Sequence, residues 1–365
     1  MTPLRYAVAI ARLDLVQLLV NAKASFACEM EPMGDLEDST LLKAALDGDT
    51  TSVRTHPNTR DCGLHITPLH LAAMAGHRAI VQALLDANAA VDARTLRYND
   101  PDKTSLHFAA LGGHSDIVKV LVDVKATVDA WDWHKNTPLR YAAKCGHDSI
   151  LRILINANAD VNAQTPYDST PLHAAARAGQ AGAVQILVDA NAAVDVHDAG
   201  FKYTPLHEAA DAGHRAAVRV LLAAKATVDA KGRSDQRPLH CAALRGHLDA
   251  IEVLLDAKAA VDLRAQYEST PLSYAVQKGY GHAVRLLVDA KAAIDKEDGQ
   301  GQTLLHRAAR NNDVNAVVAL VCGRATVDIS DSSGMTPLHH AAMKGYNTVV
   351  LMLLISHAYL TSDHQ

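Results

Sequence analysis

Histidine is the side chain best suited to acid–base or metal chemistry near neutral pH, and this chain carries twenty in 365 residues. Pairs seven residues apart recur: His70 and His77, His107 and His114, His207 and His214, His240 and His247. Imidazoles at a fixed spacing suggest a zinc site or a general base. His207-Glu208 begins as a zinc-protease helix does, but Asp211 stands where the second histidine is required. Cys145 and His147 are close in sequence, with no third group to orient the base. Neither GxxxxGK[ST] nor GxGxxG occurs, so no phosphate cradle is indicated. Carboxylates at Asp195, Asp229, Asp262, Asp295 and Asp328 repeat at one register. Repetition of this kind points to framework, whereas an active site is a unique cluster. No catalytic, cofactor-binding or metal-ligating residue is assigned, and no enzyme is expected within these residues.

The elements that carry these residues explain their spacing. From Thr204 to Ala230 the chain reads TPLHEAADAGHRAAVRVLLAAKATVDA. Thr is a good N-cap and Pro suits the first helical position. The phrase reads as a short apolar helix, a break at Gly213 and a second apolar helix through Val218 and Leu221. Copies begin at 2, 39, 67, 104, 137, 170, 204, 237, 270, 303 and 336. Thr67-Pro68-Leu69-His70, Thr170-Pro171-Leu172-His173 and Thr336-Pro337-Leu338-His339 are close copies; Thr104-Ser105-Leu106-His107 is weaker. The Gly-His turn recurs at Gly76, Gly113, Gly146, Gly213 and Gly246.

These residues resemble the ankyrin repeat: a period of 33, T-P-L-H-x-A-A, a G-H turn, V-x-x-L-L and a V-D or V-N ending. The resemblance covers essentially the whole chain. It implies an all-α ankyrin-repeat solenoid of antiparallel helix pairs joined by β-hairpin-like fingers. The expected organisation is a first repeat at 1–38, a degenerate, shortened repeat at 39–66, nine repeats in one continuous solenoid at 67–360, and a short tail at 361–365. No unit can bury its apolar face alone, so Leu206, Ala209, Val218, Leu221 and their equivalents must pack against neighbouring units.

Bulk composition agrees. Apolar residues make up 49% and aromatics only 4%, so Ala, Leu and Val fill the core. A net charge of −5 argues against a general nucleic-acid binder. Five scattered cysteines, Cys28, Cys62, Cys145, Cys241 and Cys322, read as reduced thiols with no disulfide framework or zinc site. No signal peptide and no membrane-length apolar run is found, so no membrane insertion is expected. The expected location is cytoplasmic, with the nucleus also open.

Departures from the repeat carry the information. The unit at 39 loses most of its second helix to Arg54-Thr55-His56-Pro57-Asn58. A longer finger runs from Asp92 to Lys103. The family usually places Gly after the second helix, where the chain turns left-handed. Here stand Lys23, Asn88, Lys125, Asn158, Asn191, Lys225, Lys258, Lys291, Arg324 and His357. Lys225, Lys258, Lys291 and Arg324 form a basic ladder, read either as solvated caps or as a strip for an acidic partner. In the last unit Leu351 and Ile355 occupy positions that are polar elsewhere, so cover by further chain, a partner or a second copy is expected.

The resemblance implies binding through the fingers and the inner face of the first helices. Four residues after each Thr stand Tyr6, Leu71, Phe108, Tyr141, Ala174, Glu208, Cys241, Tyr274, Arg307 and His340. The fingers carry Tyr98, Trp131, Trp133, Tyr167, Phe201, Tyr203 and Tyr267. The protein-binding residues assigned are Tyr98, Phe108, Trp131, Trp133, Tyr141 and Tyr167. Trp and Tyr dominate interface hot spots; the competing reading is that one Trp folds back and only fills a gap. The expected function is a non-catalytic scaffold or adaptor for protein partners. The alternative is the substrate-targeting region of a larger enzyme or channel.

Overall fold

The computed structural model describes residues 57, 58, 60, 66–95 and 102–362, the last five by backbone alone. The expected repeat at 1–38, most of the degenerate one at 39–66, Cys28 and Cys62, Lys23, Tyr6, Tyr98 and the end of the tail lie outside the described residues.

Among the described residues eighteen α-helices follow one another in nine pairs. They are α1 (Pro68–Ala75) with α2 (Arg78–Asp86), α3 (Ser105–Gly112) with α4 (Ser115–Asp123), and α5 (Pro138–Cys145) with α6 (Asp148–Asn156). Next come α7 (Pro171–Arg177) with α8 (Ala181–Asp189), α9 (Pro205–Asp211) with α10 (Arg215–Ala223), and α11 (Pro238–Arg245) with α12 (Leu248–Asp256). The last are α13 (Pro271–Lys278) with α14 (Gly281–Asp289), α15 (Leu304–Arg310) with α16 (Val314–Cys322), and α17 (Pro337–Met343) with α18 (Asn347–Ser362). They fall into two compact units: α1–α6 and α8 with residues 171–175, and α9–α18 with residues 176–179. In the second unit Leu206, Ala209, Val218 and Leu221 are fully buried, as the repeat pattern requires.

The fingers are hairpin-like turns closed by single backbone pairs, with no strand among the described residues. Asp132 N–H donates to Asn136 O and Gly232 N–H to Gln236 O. Residues after the second helices are left-handed as expected: Asn88, Lys125, Asn158, Asn191, Lys225, Lys258, Lys291 and Arg324 have φ of 62–71°. His357 is not one of them. The last helix runs on through it to Ser362, and its Nδ1 lies 2.8 Å from Asp328.

Candidate protein-interaction surface

The histidines come first, because their geometry decides whether chemistry is available. His70 Nε2 lies 2.9 Å from Ala93 O and 3.2 Å from Lys103 O. Carbonyls only accept, so Nε2 carries the proton. Nδ1 is then a lone pair, and it accepts from Thr67 N–H at 3.1 Å and from the Thr67 hydroxyl at 2.8 Å. His107 and His207 repeat the arrangement and His240 does so without the hydroxyl, Arg237 offering only its N–H at 3.1 Å; the three reach Asn136 O, Gln236 O and Ser269 O at 3.1–3.2 Å. Burial pushes each of these four imidazoles down to about 4. Both ring nitrogens are occupied and the ring stays neutral, so these histidines are struts between one repeat and the next finger. In the last pair His339 has the same Thr336 cap but is exposed.

The second histidine is also a strut in three of the pairs, at His114, His214 and His247. His114 Nε2 donates to Met74 O at 3.0 Å, and His247 Nε2 to Asp211 O at 3.0 Å. Its ring occupies the place a side chain on the preceding repeat's glycine would need. A Cβ on Gly76 would stand 2.6 Å from His114, and one on Gly213 2.6 Å from His247. These glycines also hold φ of 81° and 76°, so conformation and space require the same residue.

The repeating carboxylates are likewise framework. Asp92 accepts from Thr127 N–H and hydroxyl, Asp195 from Thr227, and Asp295 from Thr326, at 2.7–3.0 Å. Asn58 does the same for Ala90 N–H at 2.7 Å. The stretch that reads as a damaged second helix therefore still supplies the linking residue. Among the described residues no group of three His, Cys, Asp or Glu is placed to hold a metal ion. Cys145, Cys241 and Cys322 are free.

Against this framework the aromatic residues separate into two sets. Trp131 is 45% exposed and Trp133 67%, both in the finger between α4 and α5. They line an open groove of about 530 Å³ with Arg94, Asp102, Asp129 and Lys135. Lys135 Nζ stands 4.0 Å over the Trp131 ring, and Arg94 donates to Trp131 O at 2.8 Å. The finger is stiffened by Asp132, whose carboxylate accepts from Asn136 N–H at 2.7 Å and from the Tyr141 hydroxyl at 2.7 Å. Two indoles are thus held open on a braced loop, and Trp131 is partly covered by its own lysine. Tyr167 is 71% exposed on the next finger.

The other set is internal. Phe108 is only 4% exposed and meets His70 edge-on at 5.7 Å, so it belongs to the core rather than to the exposed patch assigned from sequence. Tyr141 is half-buried and meets His107 edge-on at 6.0 Å. Buried Lys103 lies 4.9 Å from the Tyr141 ring centre and 5.9 Å from that of Phe108. The register four residues after Thr was expected to be an inner binding face. It mostly packs against the preceding repeat: Leu71, Ala174, Glu208 and Cys241 are buried too. Cys241 has its thiol pushed up to about 12 by burial, so it is no nucleophile. Sequence reasoning did not assign Arg94, Lys103 or Lys135, although all three lie within the two fingers that depart from the repeat.

The second unit differs. Here the first helices carry ion pairs: Arg177 with buried Glu208, Arg245 with Asp211 at 3.1 Å, and Arg307 with Asp298 at 2.7 Å. His340 sits 2.8 Å from Asp331, holding that carboxyl well below its usual range. Tyr203 stacks on His207 at 4.9 Å and donates to Gln236 at 2.8 Å, while Phe201 and Tyr267 stay exposed at finger tips. Lys225, Lys258, Lys291 and Arg324 are all exposed. On α18 Leu351 and Ile355, the pair singled out from sequence, are exposed, as are Leu354 beside them and Met343 at the end of α17. Among the described residues no helix is long and apolar enough to cross a membrane.

The family profile described as Ankyrin repeats (3 copies) matches residues 69–165, 163–232, 224–298 and 284–363. Among solved structures, the crystal structure of the human ASB11 ankyrin repeat domain is 29% identical. It covers 60% of this chain and 98% of its own, with a TM-score of 0.54. No curated protein matches.

Proposed function

The chain belongs to the ankyrin-repeat family, and from that premise we propose that it is a non-catalytic scaffold or adaptor that holds a protein partner at the Trp131–Trp133 finger. Members of this family are generally protein-interaction modules, and the histidines that could have done chemistry are occupied as struts. The observation that carries the reading is the exposure of two indoles beside a groove of about 530 Å³, on a finger braced by Asp132. An exposed Trp on a rigid element has little conformational entropy to lose on binding. Tyr141 braces this finger, and Tyr167 stands on the neighbouring one as an outlying contact.

The test is affinity capture from native lysate with the wild-type chain and with the Trp131→Ala/Trp133→Ala variant. Loss of captured partners with unchanged helicity supports the reading. Equal capture by both proteins removes this finger from the interface.

A further inference from the structure

The second unit carries a second, chemically different surface. On three successive first helices the last turn, or the residue just after it, presents an exposed cation: Lys278 at the end of α13, Arg310 at the end of α15 and Lys344 after α17. Two carboxylates near these helices are engaged in ion pairs: Asp298 with Arg307, and Asp331 with His340. Asp313 caps α16 with one oxygen, accepting from Ala316 N–H at 3.0 Å, and its other oxygen is buried without a hydrogen-bond partner. Arg245 at the end of α11 begins the row, but Asp211 neutralises it. Arg310 meets only the neutral Gln302 side chain, at 3.3 Å. Among the described residues, no carboxylate forms an ion pair with Lys278, Arg310 or Lys344. In a chain of net charge −5, a row of three uncompensated cations on adjacent repeats is a local reversal of sign.

We infer that this row on α13, α15 and α17 docks an extended acidic peptide with a carboxylate at about every third residue. The spacing follows from two repeat distances. Packed helices stand about 8–10 Å apart, and an extended chain advances about 3.3 Å per residue. Three residues of extended peptide therefore match one step along the row. Complementary charge of this kind sets register and speeds encounter. A peptide is favoured over a nucleic acid because three cations in a chain of net charge −5 are few for binding a phosphate backbone; Phe201 and Tyr267 are finger-tip residues, and Tyr280, exposed beside Lys278, lies with its ring against Gly246. The inference rests on the reading that the chain binds proteins, but it uses none of the residues of the Trp131–Trp133 site.

The experiment is fluorescence anisotropy on the full chain with three labelled probes. One is a peptide with Glu at every third position and Ser or Gly between. The second has the same composition with its Glu residues consecutive, and the third is a single-stranded oligonucleotide of equal charge. The spaced peptide is expected to bind most tightly. Lys278→Glu/Arg310→Glu/Lys344→Glu is expected to weaken it by at least about tenfold. Lys225→Glu/Lys258→Glu/Lys291→Glu, on the opposite ends of the repeats, is expected to leave it nearly unchanged. Unchanged binding by the first triple variant, equal loss in the second, or tighter binding of the oligonucleotide would each overturn the inference. The Trp131→Ala/Trp133→Ala protein is expected to bind the peptide normally, so failure of lysate capture and failure of peptide docking are scored separately.

Discussion

The two compact units share one framework and present different chemistry. In the first, departures from the repeat are mainly aromatic and are set among cations: Trp131 and Trp133 outside beside Arg94 and Lys135, Phe108 and Tyr141 around Lys103 within. In the second they are charged: Glu208, Asp211, Arg245, Arg307 and His340 on the first helices, with lysine or arginine at the left-handed caps Lys225, Lys258, Lys291 and Arg324, where the first unit has Lys125 but otherwise Asn. The contrast teaches that the struts between repeats do not depend on what the surface carries. His70 and His107 in one unit, and His207 and His240 in the other, bond a carbonyl of the next finger through Nε2 at 2.9–3.2 Å and accept a backbone N–H at Nδ1; only His240 lacks the Thr hydroxyl, because Arg237 replaces it.

The strongest way to break that comparison is to damage the common core. Leu121→Ala in α4 and Leu254→Ala in α12 remove fully buried side chains, and each is expected to cost about 2–5 kcal/mol. Denaturant melts would give similar losses for both if the framework is equivalent; a large loss from one alone would mean that it is not.

Acid tests the struts in both units together. The four imidazoles have folded values of about 4 against an ordinary 6.5. The unfolded chain therefore binds protons first. Stability is full above pH 6.5, falls as pH drops towards 4, and levels off below it. Each ring contributes up to about 3 kcal/mol by linkage. A flat stability profile between pH 7 and 4.5 would contradict the neutral, doubly bonded assignment.

Surface changes should separate the units. Trp131→Ala/Trp133→Ala should weaken partner capture by about 2 kcal/mol or more while leaving the melting transition nearly in place. Arg177→Gln should act the other way, leaving capture intact. It strands Glu208, a buried carboxylate whose partner is largely exposed, at a cost of about 1–2 kcal/mol once solvent screening is allowed for. The smallest effect compares the caps. Asn158→Gly should change little, whereas Lys258→Gly should gain a few tenths of a kcal/mol. Relief of the left-handed strain is partly offset there by loss of a cation at a helix end. Equal responses at the two positions would show that strain does not distinguish the units.

Much of this was legible in the chain itself. Thr caps, Pro at the first helical position, Gly turns and the left-handed Asn and Lys positions depend on contacts three or four residues apart, and repetition makes them unmistakable. The reading of the repeating carboxylates as framework came from repetition, and that of the histidines from their places in the ankyrin pattern. The candidate site was only half legible. Sequence placed Phe108 beside the tryptophans on one surface, and the structure buries it against His70. It read Arg54 to Asn58 as loss, although Asn58 still links to Ala90. It took His357 for a turn where the helix continues. Each of these outcomes is decided by partners about 29–38 residues away, in the neighbouring repeat. The sequence by itself determined what each repeat is. Only the tertiary structure decided which departures the next repeat covers and which it leaves to solvent, because exposure belongs to the stacked pair and not to either member.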